Sequence, residues 1–502
     1  MSRTSHVSFM LDLERIRSDL EEFTTEIDQE YYLNGAGLKD KLESSRIYIK
    51  FAHLFNRDTI DQVYKYGKTA KGEDERRLTY LRAFLVNDFM ENQVKELSDK
   101  FLTEESQATV EIDRENISFR QSAVTMGNEQ NRARRSSIFD ARNKVIERLN
   151  PTLVERTRVL HRTARDLGHA NYAALYEDIK GIKLADLDAI LRPFLQKTRN
   201  LYNSAMGKLI QDKIHVPLTE AEKHDTTYAF RAGEFDHYFK KEDTIRTLIQ
   251  TLAGMGIDLK AQKNIQLDVE ERPKKSPRAF VAPIRIPSDI KLVILPRGGH
   301  DDYATLFHEA GHAQHLGTTR ADLPVEYRYL GDKSLTEGFA FLMEYLVTNH
   351  RWLAKYTAMK NTDVFLRFIY LYKLYFLRRY AAKLAYELEL HSKGIQEAPG
   401  KYKSILESAL TFKHPMSHFL VDVDDGFYCA NYLRAWIFEA QVKRVLAQHF
   451  GENWFEKRGA GIQLQKWWSL GQKYRVEEML RDLGYKGLDI EPLFEEITGN
   501  LK

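Results

Sequence analysis

The chain has 502 residues, of which 43% are hydrophobic and 29% charged, a composition typical of a globular protein with room for two lobes or domains. Its formal net charge is only +3, so neither nucleic acid nor an anionic membrane is expected as the main partner. The single cysteine, Cys429, excludes an internal disulfide, and no apolar run approaches the roughly 20 residues of a membrane helix.

The amino terminus also bears on the expected location. It has no long apolar core and quickly becomes charged, so it does not look like a secretory signal. Together with the single cysteine, this makes the cytoplasm the expected location.

Helical patterns dominate the first half of the chain. Apolar residues at helical spacing predict helices over residues 9–33, 38–55, 75–101, 184–214 and 241–256, and Pro151 is predicted to start another helix. Residues 103–117 alternate weakly, which predicts a short strand or hairpin arm. Residues 120–148 are polar and contain three arginines between positions 132 and 135. That segment fits a solvated helix, a flexible segment or a patch for an acidic ligand.

The pattern changes between residues 265 and 295. Segments 265–270, 278–286 and 291–295 are short and β-branched, which predicts a small sheet set among helices. Pro283 suits an edge strand, because proline has no backbone N–H to donate to a neighbouring strand.

The segment 303–345 follows this sheet and contains two histidines four residues apart. On a helix over residues 302–316, that spacing places the imidazoles of His308 and His312 on one face, about 6 Å apart along the axis. Two nitrogens so placed can bind one tetrahedral cation at roughly 2.0–2.1 Å each. Glu309 can reach a water on that cation, which is the arrangement of a zinc peptidase.

Neighbouring residues favour this interpretation over a surface helix with two satisfied histidines. Leu306, Phe307 and Ala310 supply apolar faces, so the helix is expected to be largely buried. Gly311 within a helix costs about 1 kcal/mol relative to alanine, which predicts close approach by another element.

A third ligand is needed, and Glu337 is the candidate. Its helix is predicted over residues 334–348. If Ser334 formed a capping box, the Glu337 carboxylate would turn back to the backbone, whereas a cap by Asp332 would leave that carboxylate for metal. Glu344, two turns further on, lies on nearly the same face and can orient a ligand histidine, the alternative being an ion pair elsewhere.

The run Thr305-Leu-Phe-His308-Glu309-Ala-Gly-His312, followed by Glu337 and Glu344, resembles the thimet oligopeptidase and oligoendopeptidase F family. It is similar, more distantly, to angiotensin-converting enzyme. These are gluzincins, zinc peptidases whose third ligand is a glutamate on a second helix. The resemblance implies one zinc ion per chain held by His308, His312 and Glu337, with Glu309 as general base.

The resemblance also carries expectations about the fold. It implies a mainly α-helical body with two helical lobes around a deep central cleft that admits peptides, and a small sheet beside the zinc-binding helix. We therefore expect an N-terminal helical lobe over residues 1–150 and a catalytic region over 151–502. In gluzincins an edge strand beside the zinc helix pairs with the substrate backbone. Residues 278–286 or 291–295 are the candidates for that strand, unless both are core strands.

The segment 424–440 resembles the tyrosine-rich stretch of the same family, where tyrosines on a glycine-bearing loop and helix start face the metal. Peptide hydrolysis develops an oxyanion, and a tyrosine hydroxyl can donate to it without a charge to desolvate. Tyr432 matches best by its place ahead of Trp436, and Tyr428 is second. The alternative is that either is one of many structural tyrosines.

We expect a zinc-dependent oligopeptidase that hydrolyses internal bonds of short peptides through a zinc-bound water, with Glu309 as general base. The first alternative is a zinc carboxypeptidase or dipeptidyl carboxypeptidase. That enzyme would need a cation such as Arg434 or Arg285 for the terminal carboxylate. The second alternative is a non-catalytic relative that binds peptides.

Overall fold

The computed structural model describes residues 3–502, with side chains from residue 12 onward. Part of the amino terminus, for which no secretory signal is expected, therefore lies outside the described residues. The structure is 70% helix and 5% strand, which confirms the mainly helical class. Among the described residues, none of the helices combines the length and the apolar character needed to cross a bilayer.

The helices and strands are numbered in chain order. The first helices are α1 (Arg3–Gly35), α2 (Ser44–Lys50), α3 (Arg57–Gly67), α4 (Glu73–Gln93), α5 (Lys95–Gln107), α6 (Phe119–Asn128), α7 (Arg132–Asp166), α8 (Tyr172–Lys180), α9 (Leu184–Lys197), α10 (Arg199–Ile214), α11 (Lys223–Ala229) and α12 (Thr244–Gly254). The later helices are α13 (His300–Thr318), α14 (Val325–Tyr329), α15 (Lys333–Glu344), α16 (His350–Tyr356), α17 (Asp363–Lys393), α18 (Ala398–Leu410), α19 (Tyr428–Phe450), α20 (Arg458–Trp468), α21 (Val476–Asp482) and α22 (Glu491–Leu501). The strands are β1 (Thr109–Ile112), β2 (Glu115–Ser118), β3 (Ile265–Asp268), β4 (Phe280–Arg285) and β5 (Asp289–Val293).

The chain divides into two compact units, each assembled from segments that are distant in sequence. Unit 1 comprises Met1–Phe89, Gly233–Thr362 and Arg434–Leu493. Unit 2 comprises Met90–Ala232, Asp363–Leu433 and Phe494–Lys502. The boundary expected after residue 150 lies inside α7, so it does not coincide with a limit of either unit.

Several predicted helix limits are wrong. Pro151 lies inside α7 instead of starting a helix. Leu149 and Leu153 on either side are buried, so packing holds α7 together although Pro151 lacks a backbone N–H. Segments 75–101 and 184–214 each form two helices that are separated by one residue, a break too short to disturb the apolar spacing. Within 38–55, only α2 is an α-helix.

Unit 2 contains the predicted hairpin, and two arginines of the arginine-rich segment form ion pairs within this unit. Strands β1 and β2 pair antiparallel, and a core of apolar residues joins them to α6 and α7. Arg135 is buried and lies 2.9 Å from Asp225, while Arg132 reaches the same carboxylate at 3.0 Å. These two arginines therefore form ion pairs within unit 2, and the segment is largely helical and partly buried.

Unit 1 contains a three-stranded sheet in the order β3-β5-β4, beside α13. Strand β3 is parallel to β5, and β4 is antiparallel to β5. Strand β4 is thus an edge strand, as Pro283 predicts. Ala282, Ile284 and Leu292 are buried, so the sheet also contributes to the core.

Helices α13 and α15 pack with their backbones in direct contact at Gly311. A Cβ atom at Gly311 would lie 2.6 Å from the Cα of Ala340 and 2.9 Å from the carbonyl oxygen of Phe339. Both atoms belong to the backbone of α15, so no side-chain rotation can relieve the overlap. The close approach predicted for Gly311 is confirmed, and it positions the two helices that carry the candidate ligands.

We expect Gly311→Ala to lower the free energy of unfolding by roughly 1–3 kcal/mol, because the added methyl group separates α13 from α15. Chemical denaturation of both proteins measures the change. Gly207→Ala in α10 is the matched control, because its Cβ would meet nothing within 4 Å. It should raise stability by up to about 1 kcal/mol through helix propensity alone. Equal effects of the two substitutions would contradict the packing account.

Candidate metal centre

Three predicted ligand atoms converge in unit 1. The Nε2 atom of His308 lies 3.4 Å from Oε2 of Glu337, and Nε2 of His312 lies 3.7 Å from the same oxygen. All three atoms are within 4.8 Å of one another. The structure thus brings together residues from two helices, with 24 residues between His312 and Glu337 in the sequence.

This spacing fits a small tetrahedral cation. Ligands at roughly 2.0–2.1 Å from such an ion lie about 3.3 Å from one another. The two separations from Glu337 are close to that value, at 3.4 and 3.7 Å. Two imidazoles and one carboxylate are also a common donor set for catalytic zinc, which keeps a fourth position open.

The second ring nitrogen of each histidine, Nδ1, contacts a side chain of α15. Nδ1 of His308 donates to Oε2 of Glu344 at 2.8 Å, which is the orienting contact predicted for Glu344. Nδ1 of His312 lies 2.9 Å from the hydroxyl oxygen of Thr336. In metal sites such contacts direct the second nitrogen, Nε2, toward the ion.

The start of α15 decides between the two caps considered for Glu337. Asp332 is the N-cap residue, and its carboxylate accepts a hydrogen bond from the backbone N–H of Ser334 at 3.0 Å. Glu337 therefore does not form a capping box with Ser334. The structure supports the alternative in which the Glu337 carboxylate faces the histidines.

Arg434 forms ion pairs at the start of α15, so its charge is already neutralised by carboxylates of the protein. Its guanidinium is buried and donates to the carboxylates of Asp332 and Glu477 at 2.6–2.9 Å. It also donates to the hydroxyl of Ser334 at 2.7 Å. The arginine holds the pKa of Asp332 below its usual range, despite the opposing effect of burial. Arg434 thus anchors the helix that carries Glu337.

Glu309 is oriented by the edge strand. Its Oε2 atom accepts a hydrogen bond from the backbone N–H of Val281 in β4 at 2.9 Å. Loss of hydration raises the pKa of Glu309 to about 7, and His308 and the Val281 amide only partly oppose this rise. A carboxyl group with a pKa near neutrality can both accept and release a proton at physiological pH.

The electrostatics of the site favour a positive charge among the ligands. Burial disfavours a charged His308, yet hydrogen bonds to Glu337 and Glu344 outweigh it and raise the pKa of His308 to about 10. Burial and the charge of His308 lower the pKa of His312 to about 3. The carboxylates of Glu337 and Glu344 therefore stabilise a positive charge at His308.

The predicted oxyanion tyrosines both lie in unit 2. Tyr428 is the first residue of α19, directly after a 3₁₀ turn in which Gly426 has a φ of +61°. The rings of Tyr428 and Tyr432 are half-buried, with centroids 5.1 Å apart in a T-shaped contact. Glycine is required in the turn, since a Cβ at Gly426 would lie 2.7 Å from the ring of Tyr176. Their role at an oxyanion stays a prediction.

Unit 2 also contains a second group of ligand-type side chains, Glu387, Asp424 and Cys429. The ammonium of Lys383 lies 2.7 Å from the Asp424 carboxylate, and the Cys429 thiol donates to Glu387 at 3.1 Å. Burial raises the pKa of Glu387 to about 8, so the carboxyl group holds a proton at neutral pH. The lysine already supplies the positive charge, and the group is best described as a hydrogen-bonded cluster.

Sequence reasoning missed two residues of the site. Thr336 precedes Glu337 and has no feature that distinguishes it from other helical threonines. Val281 contributes its backbone N–H, which no side-chain pattern reveals. His315 is buried and donates from Nε2 to the carbonyl of Gly471 at 3.1 Å, so it is a packed histidine outside the ligand set.

No protein-family model matches this chain, and a search of the curated proteins finds no matching sequence. The resemblance to oligopeptidases therefore depends on the motif residues themselves.

We expect Glu344→Ala and Thr336→Val each to weaken zinc binding by roughly 10–100-fold, because each removes the hydrogen-bond partner that orients one histidine. Competition with a chromophoric zinc chelator measures the affinity. Thr305→Val is the matched control, since the Thr305 hydroxyl donates only to the Asp301 carbonyl within α13. An unchanged affinity in both site variants would contradict the assigned contacts.

Proposed function

We propose that this protein is a zinc-dependent oligopeptidase that hydrolyses internal bonds of short peptides. One observation carries the proposal: two imidazole nitrogens and one carboxylate oxygen converge at tetrahedral spacing beside a carboxyl group with a pKa of about 7. Bound zinc would lower the pKa of a water in its open position toward ~7 and polarise the scissile carbonyl. His308, His312 and Glu337 would hold that ion.

Glu309 would act as the general base. One carboxylate oxygen is fixed by the Val281 amide, so the other would take a proton from the attacking water. As the water oxygen adds to the carbonyl carbon and the C–N bond breaks, the same oxygen would pass this proton to the leaving amine. The position of Glu309 next to strand β4 supports this role, because a peptide that adds to an edge strand would be held beside the base.

The family resemblance supports the finer features of the proposal. It implies two helical lobes around a deep central cleft that excludes folded proteins, and a catalytic region over residues 151–502. Short peptides would be the partners. The cytoplasm, expected from the sequence and not from the resemblance, would be the location. Tyr432 or Tyr428 would donate to the oxyanion.

The carboxypeptidase alternative depends on a cation for the terminal carboxylate. Arg434 is already bonded to two carboxylates, so this alternative depends on Arg285, which is exposed at the end of β4. A peptide with an amidated carboxyl terminus separates the two activities, because only an endopeptidase cleaves it.

We expect Glu309→Gln to slow peptide hydrolysis by roughly 10²–10⁴-fold while zinc stays bound, because the general base is lost and the ligands are retained. Mass spectrometry of a pool of short peptides, half of them amidated, measures cleavage by both proteins. Internal cuts by the wild type alone are the expected result. Loss of terminal residues alone would favour the carboxypeptidase, and zinc binding without any cleavage would favour a peptide-binding relative.

We expect Tyr432→Phe or Tyr428→Phe to lower kcat by roughly 10²–10³-fold with little change in KM, because the hydroxyl that would stabilise the developing oxyanion is lost. Steady-state kinetics on a cleaved peptide tests each variant. Tyr64→Phe is the control, since Tyr64 is an exposed tyrosine of α3. If both site variants behaved like this control, neither tyrosine would be the donor.

A further inference from the structure

A cavity of about 400 Å³ opens in unit 1 beside the start of α13. This volume lies in the range of small-molecule sites, roughly 300–1,000 Å³. Residues between 236 and 242 form one wall, and residues 297–299 form the other. The ionisable side chains that line it are the basic His237, Lys240, Lys241 and Arg297 and the acidic Asp236 and Glu242. We call this feature the basic cavity.

Hydrogen bonds and ring packing fix the wall that carries the two lysines. The backbone N–H of Gly299 donates to the carbonyl oxygen of Phe239 at 2.8 Å. The hydroxyl of Tyr303 donates to the carbonyl oxygen of Lys240 at 2.7 Å. Phe239 is buried, and its ring centroid lies 5.2 Å from that of His300 and 5.3 Å from that of Tyr303. The backbone of this wall is therefore held against α13 before any ligand binds.

The opposite wall needs glycine where it meets this segment. Gly298 has a φ of +87° and Gly299 a φ of +92°. A Cβ atom at Gly298 would lie 3.0 Å from the backbone nitrogen of Lys241, and one at Gly299 would lie 2.8 Å from the carboxylate of Asp236. Only glycine combines these conformations with such close contacts, so the pair of glycines sets the separation of the two walls.

The cavity has an excess of positive charge. Lys240, Lys241 and Arg297 are exposed, and within the part of the chain whose side chains the structure describes, none of the three forms an ion pair. Asp236 is turned toward the helix, where its Oδ1 atom accepts a hydrogen bond from the backbone N–H of His300 at 3.4 Å. An anion in the cavity would therefore meet cations whose charge no carboxylate of the protein pairs with.

Side chains, and not the end of the helix, would supply the contacts to such an anion. The backbone N–H groups of Arg297 and Gly298 both donate to Oδ2 of Asp302, at 2.8 and 3.0 Å. These donors are thus already satisfied by a carboxylate of the protein. A guanidinium binds an oxyanion through two parallel hydrogen bonds, whereas an ammonium acts as a point charge. One arginine and two lysines match a ligand with more than one negative charge.

The size of the cavity limits this ligand to a small molecule. At roughly 30 Å³ for each water-sized group, about 400 Å³ holds about a dozen non-hydrogen atoms. The cavity is also separate from the candidate metal centre. Helix α13 rises about 12 Å between His300, which follows the cavity wall, and His308.

We propose that the basic cavity binds a small anion with at least two negative charges, carried by phosphate or carboxylate groups. The two groups share the chemistry that the cavity recognises, which is a compact set of oxygens with delocalised negative charge. This site goes beyond the proposed peptidase activity, because neither zinc nor Glu309 takes part in it.

Equilibrium dialysis of the zinc-loaded protein against radiolabelled inorganic phosphate, and separately against radiolabelled succinate, tests the proposal. We expect one anion per chain with a Kd of about 1 mM or tighter at low salt, and weaker binding at high salt because ions screen exposed cations. Tighter binding of phosphate would identify a phosphate ligand, and tighter binding of succinate a carboxylate ligand. Either result supports the site, and binding of neither anion would overturn it.

Variants at exposed positions locate the bound anion. Lys241→Gln and Arg297→Gln each remove one charge from the cavity and should weaken binding by roughly ten-fold. Lys260→Gln is the matched control, because it removes the same charge from an exposed position of unit 1 outside the cavity. It should leave binding unchanged. Equal effects of all three substitutions would indicate attraction by net charge alone and would overturn the proposal.

Glu337→Ala separates this site from the metal centre. Anion binding should be unchanged in that variant, because the cavity shares no residue with the candidate ligands. Loss of anion binding in Glu337→Ala, with unchanged binding in the cavity variants, would place the anion at the metal and overturn the inference. If the cavity binds an anion and no peptide is cut, the oligopeptidase proposal fails and the anion site stands.

Discussion

The contact between α13 and α15 is the constraint on which the candidate metal centre depends. Gly311 lets the backbones of the two helices touch at Ala340, and the candidate ligands of both helices converge beside this contact. His308 and His312 lie on α13, one turn apart on either side of that crossing region, and Glu337 faces them from α15. A small residue at the crossing thus determines the geometry of the ligands.

The surroundings of the ligands complete the centre. The ion pair between Arg434 and Asp332 fixes the start of α15. Glu344 and Thr336 contact the Nδ1 atoms of the two histidine rings and so orient them. Glu309 is held by the backbone of the edge strand. These contacts come from three elements, α15, α19 and β4. The orientation of the candidate ligands and of Glu309 therefore depends on several residues and not on one. Preorganisation of this kind is what a catalytic metal site requires.

The sequence predicted the convergence of His308, His312 and Glu337 better than it predicted the limits of the helices. The spacing of His308 and His312 is a local helical property, and Glu337 follows from the need for a third ligand. Thr336 and the Val281 amide could not be predicted, because their roles arise from contacts across the fold. Pro151 illustrates the opposite failure: a strong local signal for a helix start was outweighed by packing on both sides.

The most direct test is the metal content and coordination of the purified protein, by elemental analysis and zinc X-ray absorption. We expect one zinc per chain with only nitrogen and oxygen neighbours at about 2.0–2.1 Å, and loss of that zinc in Glu337→Ala. A protein that binds no zinc, or zinc that stays bound in Glu337→Ala, would contradict the central claim that His308, His312 and Glu337 form a metal site.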